Sequence, residues 1–567
     1  MTTQAQAARG GGGDELAAPL DFLLTAAANG PVKRFMPNSS WARLARKLAA
    51  RPGTVARRTT DLGGELVNVA IGRSQRAPSK RDRRFKDPAW TYNPFLRRVL
   101  QAYLASAETA ETLLADAKLE WADQEKMQFV VSNAIDALAP SNNPFLSPDA
   151  MKALIDTAGL SVLAGLRNLV SDLAAPPRVP RMVEPDAFKV GKTLAVTPGA
   201  VVLRAEVFEL IQYTPQAEKV RAVPLLIVPP VINKYYIADL APGRSLVEYY
   251  LRQGLQVFMI SWRNPDGRHR DWTFDTYGKA IDEAMDGVQR ICRTEHLHLL
   301  ATCSGGILAS MLLGHLADEG RLDRVVTYTL MVTMLDSARA GLVSAFADER
   351  AASAAIAMSA SRGYLDGRAL AEVFAWLRPT DLIWTYWINN YLQGRPAPAF
   401  DVLYWNADTT RMAAGVHRDF VNSALTNALT KPGEAAMLGS RIDLGKVTVP
   451  SYVIAGIADH ICPWQACYRS TQLLGGENKF VLSTAGHIAS IVNPPDNPKA
   501  TFQVNEHNPP DPAEWLKGAT TVPGSWWPDH AAWLNERGGK LVDAPAELGG
   551  AGLYPLEPAP GTYVFDK

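Results

Sequence analysis

The stretch HLHLLATCSGGILASMLLGHLA, residues 296–317, joins an apolar run typical of a strand to a run typical of a helix through one short turn. The turn carries Cys303 between Ala301 and Gly305, so a potential nucleophile is flanked by small residues. Small residues are needed where a nucleophile sits on a strained strand-to-helix turn, because strand and helix approach closely there. A buried structural cysteine in an ordinary turn is the alternative interpretation.

The order of residue types along the chain favours the catalytic interpretation. An apolar run at 449–456 is followed by Asp459, and a second run at 479–486 is followed by His487. Parallel strands place active-site residues just beyond their carboxyl ends, and α/β-hydrolases use the order nucleophile, acid, histidine. We therefore predict a catalytic triad of Cys303, Asp459 and His487. The alternatives are a helix cap for the acid and a capping or core role for the histidine.

Strand-like runs alternate with helical segments over the second part of the chain. Further apolar, β-branched runs occur at 201–213, 223–232, 255–262 and 325–333. Nearly continuous apolar strands separated by helices predict a parallel sheet covered on both faces. The alternation stops between about 336 and 446, where the chain is rich in Trp and Tyr. We expect a cap over the strand ends there, with an interaction surface as the alternative.

The first part of the chain predicts helices. Residues 102–135 and 147–175 carry apolar residues three and four apart, and Ser147 before Pro148 is a plausible helix start. The predicted class is therefore an α/β-hydrolase fold with a cap insertion, preceded by a mainly helical N-terminal domain. The predicted domains are a disordered tail (1–18), a helical domain (19–190) and a catalytic domain (191–567) with the cap at about 336–446.

Composition limits the partners. The chain has 567 residues and a net charge of +1, which gives no electrostatic reason to expect nucleic acid. The four cysteines are too few and too scattered for a disulfide framework, so we expect a reducing cytoplasm. No secretory signal is recognisable, and no run approaches the roughly 18 consecutive apolar residues of a spanning helix. We expect no transmembrane segment.

Several other residues are candidates for the site. An oxyanion hole needs two donors, and we predict the backbone N–H of Ser304 and that of Ile232 or a neighbour. His460 lies beside Asp459 and could support the site or point into the sheet. No metal is expected, because His296 and His298 lack a third ligand nearby and Cys462 and Cys467 do not form a C-x-x-C motif.

Longer motifs show a resemblance to a known family. The chain resembles the single-subunit poly(3-hydroxyalkanoate) synthases from about 220 to 500, with a further match at RRFKDPAWTYNP (83–94). The matching stretches are PPVINKYYIADL (229–240), SWRNPD (261–266), CSGG (303–306), TLMVTMLD (329–336), YWNADTTRM (404–412), AGIADHICPW (455–464) and GHIASIVNPP (486–495). Asp239 falls in the first of these and is a possible supporting residue.

The resemblance implies a polymerase that joins (R)-3-hydroxyacyl-coenzyme A monomers into polyester. It implies a covalent thioester on Cys303, with His487 and Asp459 completing the triad, and release of coenzyme A. No separate cofactor is then expected, because coenzyme A is part of the substrate. The expected partners are the growing polyester, the granule surface in the cytoplasm and a second copy in a homodimer.

Two other functions stay open at this point. The same residues could serve a cysteine-nucleophile hydrolase of esters or thioesters, or a catalytically silent granule protein that keeps the fold. The preferred length of the monomer side chain stays open too.

Overall fold

The computed structural model describes residues 39–79, 82–174, 176–337 and 349–567, together with Leu24 and Ala27. The predicted tail at 1–18 lies outside these residues, as does part of the predicted cap, 338–348. The chain divides into two units. The sheet unit comprises Met1–Asn29, Pro185–Gly367 and Phe400–Lys567, and the helical unit comprises Gly30–Glu184 and Arg368–Ala399.

Seven helices described between residues 39 and 174 belong to the helical unit. They are α1 Ser39–Ala49, α2 Pro52–Ala70, α3 Ala89–Tyr92, α4 Pro94–Asp116, α5 Trp121–Ala137, α6 Pro148–Asp156 and α7 Leu160–Ala174. Two π-helical segments, Thr380–Trp384 and Trp387–Leu392, follow much later in the chain.

The two long helical stretches predicted in this unit are each divided. The stretch 102–135 forms α4 and α5, with a turn between them where Lys118 has φ 47°. The stretch 147–175 forms α6 and α7, separated where Gly159 has φ 88°, a conformation that glycine adopts without steric cost. The predicted start at Ser147 is confirmed, since its hydroxyl accepts a hydrogen bond from the N–H of Ala150 at 3.3 Å.

Helix α7 carries its large apolar side chains on an exposed face, whereas its buried residues are Ser161 and Gly165. On the packed side, a Cβ at Gly165 would lie 1.8 Å from the carbonyl oxygen of Tyr391, so only glycine fits there. In the described part of the chain no single helix is long and apolar enough to span a membrane, and α6 and α7 pass that test only as a pair bent by 116°. We define the apolar patch by the exposed side chains Met151, Ile155, Leu160, Val162, Leu163, Leu166, Val170 and Leu173.

Strands dominate the sheet unit. They are β1 Gly199–Arg204, β2 Phe208–Tyr213, β3 Lys219–Arg221, β4 Leu225–Val228, β5 Val257–Trp262, β6 Leu297–Thr302, β7 Val325–Met331, β8 Tyr364–Leu365, β9 Met412–Ala413, β10 Ala436–Met437, β11 Ser440–Arg441, β12 Ser451–Gly456, β13 Asn478–Ser483, β14 Thr501–Val504, β15 Thr520–Pro523, β16 Leu541–Asp543 and β17 Glu557–Pro558.

Eleven of these strands form one sheet in the order β15-β14-β13-β12-β7-β6-β4-β5-β2-β1-β17. The six central strands, β13 to β5 in this order, run parallel, as predicted. The flanking strands pair antiparallel, and the predicted run 201–213 folds as the antiparallel pair β1 and β2. Strand β6 is buried along its whole length, as expected for a strand covered on both faces.

The remaining helices connect these strands or lie in the segment 336–446, for which the sequence predicts a cap. They are α8 Leu246–Arg252, α9 Phe274–Cys292, α10 Ser304–Asp318, α11 Glu349–Arg362, α12 Gly367–Leu377, α13 Asp401–Ala407, α14 Ala414–Thr426, α15 Trp464–Tyr468, α16 Ser470–Leu473, α17 His487–Ile491, α18 Pro512–Gly518 and α19 Trp527–Arg537. In α9, apolar residues three and four apart face the sheet, and a Thr273–Thr276 capping box begins the helix.

Candidate active site

Cys303 lies in a strained turn between β6 and α10. Its φ of 51° and ψ of −122° place a side-chain-bearing residue in a sparsely populated region of conformational space. The neighbouring glycines are required by close packing. A Cβ at Gly305 would lie 2.3 Å from the carbonyl oxygen of Pro229, and one at Gly306 would lie 2.2 Å from the hydroxyl of Thr333. The turn therefore holds the half-buried thiol at the carboxyl end of a central strand.

Asp459 and His487 meet beyond the ends of the neighbouring strands β12 and β13. Nδ1 of His487 lies 2.7 Å from Oδ2 of Asp459, and both side chains are buried. The other carboxylate oxygen accepts hydrogen bonds from the N–H groups of Ile461 at 2.8 Å and Cys462 at 2.9 Å. These bonds fix the carboxylate, which in turn fixes the imidazole ring.

Cys303 lies close enough to His487 for the two groups to be coupled electrostatically: His487 lowers the pKa of the thiol, and Cys303 raises the pKa of the imidazole. Because Nδ1 of that ring faces Asp459, the other ring nitrogen is left for the thiol. The structure thus brings the three residues of the predicted triad together. This arrangement of nucleophile, histidine and orienting carboxylate is the one used for nucleophilic catalysis.

Burial and the carboxylate of Asp459 are the main influences on the pKa of His487. Burial opposes a charge on His487, but the charge of Asp459 and the hydrogen bond to it outweigh burial and raise the imidazole pKa to about 10. A hydrogen bond to Cys462, with burial, raises the pKa of the Cys303 thiol well above its ordinary value. The thiol thus holds its proton tightly, and the charge of Asp459 stabilises the imidazolium that forms when His487 accepts that proton.

The predicted oxyanion-hole residues lie on two adjacent segments. Ser304 begins α10, so its N–H has no acceptor within the helix. Its hydroxyl accepts a hydrogen bond at 3.1 Å from the N–H of Val231, which ties α10 to the turn that carries Ile232. Hydrogen bonds from α13 and the following segment hold the same turn, from Trp405 to the carbonyl of Lys234 and from the Asn233 N–H to Thr410. The assignment of the two donors stays a prediction.

The two possible supporting residues occupy different surroundings. His460 is buried beside Asp459. The carboxylate of Asp239 accepts hydrogen bonds from the hydroxyls of Thr197 at 2.5 Å and Ser245 at 2.7 Å. Ser245 also caps α8, so Asp239 holds together the chain around the start of that helix. Their roles in the site stay predictions.

Sequence reasoning missed the position of Cys462. Its sulfur, an oxygen of Asp459 and a nitrogen of His487 lie within 4.8 Å of one another, and Cys462 and Cys303 shift each other's pKa. These donor types can bind a metal ion, although the histidine and carboxylate are already bonded to each other. In the sequence, Cys462 was considered only together with Cys467. Spacing along the chain does not indicate that it lies near Cys303, which is 159 positions earlier.

The fold and the site define a class, an α/β-hydrolase fold with a cysteine at the nucleophile turn. Residues 236–494 match the family model described as alpha/beta hydrolase fold. Residues 81–250 match the model described as Poly-beta-hydroxybutyrate polymerase (PhaC) N-terminus. The match to a solved hydrolase from Pseudomonas aeruginosa PA01 covers 52% of this chain and 92% of the hydrolase, at 17% identity and a TM-score of 0.33.

Two curated relatives from Ectopseudomonas oleovorans match almost the whole chain. Poly(3-hydroxyalkanoate) polymerase 2 is 46% identical over 92% of this chain and 93% of its own length. Poly(3-hydroxyalkanoate) polymerase 1 is 45% identical over 92% and 93%. The chain therefore belongs to the poly(3-hydroxyalkanoate) polymerases, a family of acyltransferases.

Proposed function

We propose that the chain joins (R)-3-hydroxyacyl units from their coenzyme A thioesters into a polyester, through a covalent thioester on Cys303. The observation that carries this proposal is the His487–Asp459 pair, bonded at 2.7 Å and electrostatically coupled to Cys303, in a chain of this family. No separate cofactor is needed, because coenzyme A enters and leaves with the substrate.

The first step transfers the acyl group to the enzyme. His487 accepts the thiol proton, and the sulfur of Cys303 attacks the thioester carbonyl and forms a new S–C bond. The bond to coenzyme A breaks, and its sulfur takes the proton back from His487. One thioester replaces another, so the acyl group stays activated, which an ester on serine would not achieve. The N–H groups of Ser304 and Ile232 are the proposed donors to the transient oxyanion.

The second step forms the polyester bond. The 3-hydroxyl of another unit loses its proton to His487 and attacks the thioester carbonyl, and the Cys303 sulfur leaves and is reprotonated. General acid–base help of this kind contributes roughly 10²–10⁴-fold to the rate. Asp459 keeps the imidazole oriented and stabilises its positive charge. Water has to be kept from the acyl-enzyme, since hydrolysis would release the free acid.

Incubation of the purified chain with 3-hydroxybutyryl-coenzyme A and 3-hydroxyoctanoyl-coenzyme A tests the proposal and reports the monomer preference. We expect release of free thiol together with growing turbidity. Cys303→Ala abolishes both, whereas Cys292→Ala, a control cysteine at the end of α9, retains both. Thiol release with only soluble acid would indicate a hydrolase, and no release would indicate a silent protein. Either result would contradict the proposal.

We also propose that the apolar patch on α6 and α7 contacts the surface of polymer granules. Its members Leu163 and Leu166 are 66% and 56% exposed. Together with the other side chains of the patch they form an exposed apolar surface, which an apolar polymer can cover. Changing both to Gln should lower the fraction of protein that sediments with polymer granules. Val67→Gln, at an exposed apolar residue on α2, is the matched control. Unchanged sedimentation would count against the proposal.

The predicted homodimer stays a prediction. Sedimentation velocity of the purified chain with and without substrate tests it.

A further inference from the structure

Lys234 is a buried cation that the proposed reaction does not use. It ends the turn after β4, and only 4% of its side chain is exposed. The carboxylate of Asp408 lies 3.5 Å from its Nζ. The ammonium donates hydrogen bonds to the backbone carbonyl oxygens of Val564 and, at 2.9 Å, of Asp566. A buried charge is costly unless it is paired and hydrogen-bonded, so the position of the ammonium is closely determined by these partners.

The turn that ends at Lys234 is the one that carries Ile232. On either side of Ile232, the N–H of Val231 donates to the Ser304 hydroxyl at 3.1 Å, and the N–H of Asn233 donates to the Thr410 hydroxyl at 2.8 Å. The N–H of Ile232 itself makes no hydrogen bond with any residue that the structure describes. A free donor between two fixed ones is suited to bind an oxygen of the substrate.

The segment that binds the ammonium of Lys234 is itself fixed to the sheet. The carboxylate of Glu209, on β2, accepts a hydrogen bond from the N–H of Tyr563 at 3.0 Å. The side-chain amide of Asn264, just beyond β5, donates to the carbonyl oxygen of Asp566 at 3.2 Å. These two contacts do not involve Lys234, so the segment stays anchored when that side chain is changed.

We propose that Lys234 is a positioning residue for acyl transfer, which holds the turn after β4 so that the N–H of Ile232 points at the acyl oxygen. This inference rests on the proposed function and on the predicted oxyanion donors. Lys234 does not touch the substrate and acts through the backbone of the turn. A misplacement of about 1 Å at a catalytic group can cost roughly 10²-fold in rate, so a rigid anchor matters there.

The first test compares turnover in two lysine variants. Lys234→Met keeps a long side chain but removes the ammonium, and we expect kcat for 3-hydroxyacyl-coenzyme A to fall roughly 10–10²-fold. KM should change little, because an oxyanion donor binds the transition state more strongly than the substrate. Lys234→Arg, which keeps a cationic donor, should restore part of kcat. An unchanged kcat in Lys234→Met would overturn the proposal.

Lys479→Met is the matched control. It makes the same substitution in the same unit and removes an ion pair with Asp529 at 2.7 Å, at the start of β13 rather than at the turn. We expect its kcat, normalised to folded protein by circular dichroism, to equal that of the unmodified chain. An equal loss of kcat in Lys479→Met and Lys234→Met would mean that lost stability explains both, which would overturn the proposal.

A second test separates the turn from the nucleophile. Alkylation of Cys303 by iodoacetamide needs the sulfur but forms no oxyanion on a carbonyl carbon. We therefore expect Lys234→Met to be alkylated at Cys303 at the rate of the unmodified chain, as measured by peptide mass spectrometry. Alkylation that slows as much as acyl transfer would show that Lys234 supports the whole site, and would overturn its specific role at the turn.

A third test needs no activity. Hydrogen exchange followed by mass spectrometry should show faster exchange of the amides at 231–234 in Lys234→Met, with no change there in Lys479→Met. Unchanged exchange in Lys234→Met would overturn the proposal. If the unmodified chain released no thiol from the substrate, the proposed function and the catalytic part of this inference would both fail. The exchange rates would still decide separately whether Lys234 holds the turn.

Discussion

Two buried histidine sites in the same sheet unit have opposite electrostatics. His487 faces Asp459 at 2.7 Å, and its pKa is raised to about 10. His530, on α19, is hydrogen-bonded to the hydroxyls of Tyr250 at 2.6 Å and Thr329 at 2.9 Å. Burial lowers its pKa well below the ordinary value, and the electrostatic influence of His298 and Lys479 lowers it further.

The comparison shows that the hydrogen-bond partner, rather than burial, determines whether a buried histidine can take up a proton. A hydroxyl satisfies a neutral ring and contributes to packing, whereas a carboxylate lets the ring accept a proton during a reaction. His298, on β6 five residues before the nucleophile, belongs to the first kind. Its Nδ1 lies 2.7 Å from the Thr327 hydroxyl, and burial lowers its pKa to about 3.

The largest expected effect is on turnover, and it distinguishes the His487 site from the His530 site. His487→Gln should lower turnover roughly 10²–10⁴-fold, because the thiol and hydroxyl protons lose their acceptor. His530→Gln should reduce thermal stability and leave the turnover of the folded protein within a small factor. Initial rates of thiol release, normalised to folded protein by circular dichroism, check this. Equal losses of turnover would remove the distinction between the sites.

The next effect tests how the carboxylate of Asp459 changes the pKa of His487. Asp459→Asn leaves His487 buried but removes the charge that stabilises its protonated form, so we expect its pKa to fall from about 10 to below the ordinary 6.5. Turnover should fall by roughly 10²–10⁴-fold. Titration of the histidine ring signals by NMR checks the shift. A pKa that stays high would show that the charge of Asp459 is not its cause.

The third effect concerns the pH dependence of the free energy of unfolding. His298 has a folded-state pKa of about 3, below its unfolded value of 6.5, so the unfolded chain binds its proton first as pH falls. The free energy of unfolding should therefore decrease between pH 6.5 and 3, by ~1.4 kcal/mol per pH unit for each such group. His487 has the opposite sign, and its contribution decreases as pH rises from 6.5 to about 10.

Urea unfolding of His298→Gln across this pH range checks the sign. We expect a shallower loss of stability in acid than in the unmodified chain. His507→Gln, at an exposed histidine, is the control and should keep the original slope. An unchanged slope in His298→Gln would mean that this histidine accepts its proton in the folded state.

The smallest expected effect concerns the turn that positions Cys303. Gly305→Ala puts a methyl group 2.3 Å from a backbone oxygen, so α10 or the turn after β4 has to shift, at a cost of about 1–3 kcal/mol. The three atoms nearest to a Cβ at Gly306 belong to the side chain of Thr333, whose own Cβ lies 2.9 Å away, so Gly306→Ala has to displace that residue. We expect this to cost less than displacing the backbone at Pro229. Denaturant midpoints of both variants check the order, and a reversed order would contradict this account of the packing.

The sequence predicted the central sheet well because its strands are buried on both faces and so read as continuous apolar runs. Apolar runs do not indicate the direction of a strand in the sheet. The run at 201–213 forms the antiparallel pair β1 and β2. The division of 102–135 into two helices was also missed, because Ala and Leu continue the helical pattern across the turn at Lys118. Residues 368–399, read as part of the cap, are grouped with the helical unit through packing that no local pattern reports.

The sequence by itself determined which side chains follow the central strands. The positions of Cys303, Asp459 and His487 could be predicted as neighbours because parallel strands end at one edge. Only the tertiary structure decided that Cys462 lies beside Asp459 and His487 and that hydroxyl groups bond to His298 and His530. Such contacts join residues far apart in the chain, and they depend on how loops and helices pack onto the sheet rather than on any local periodicity.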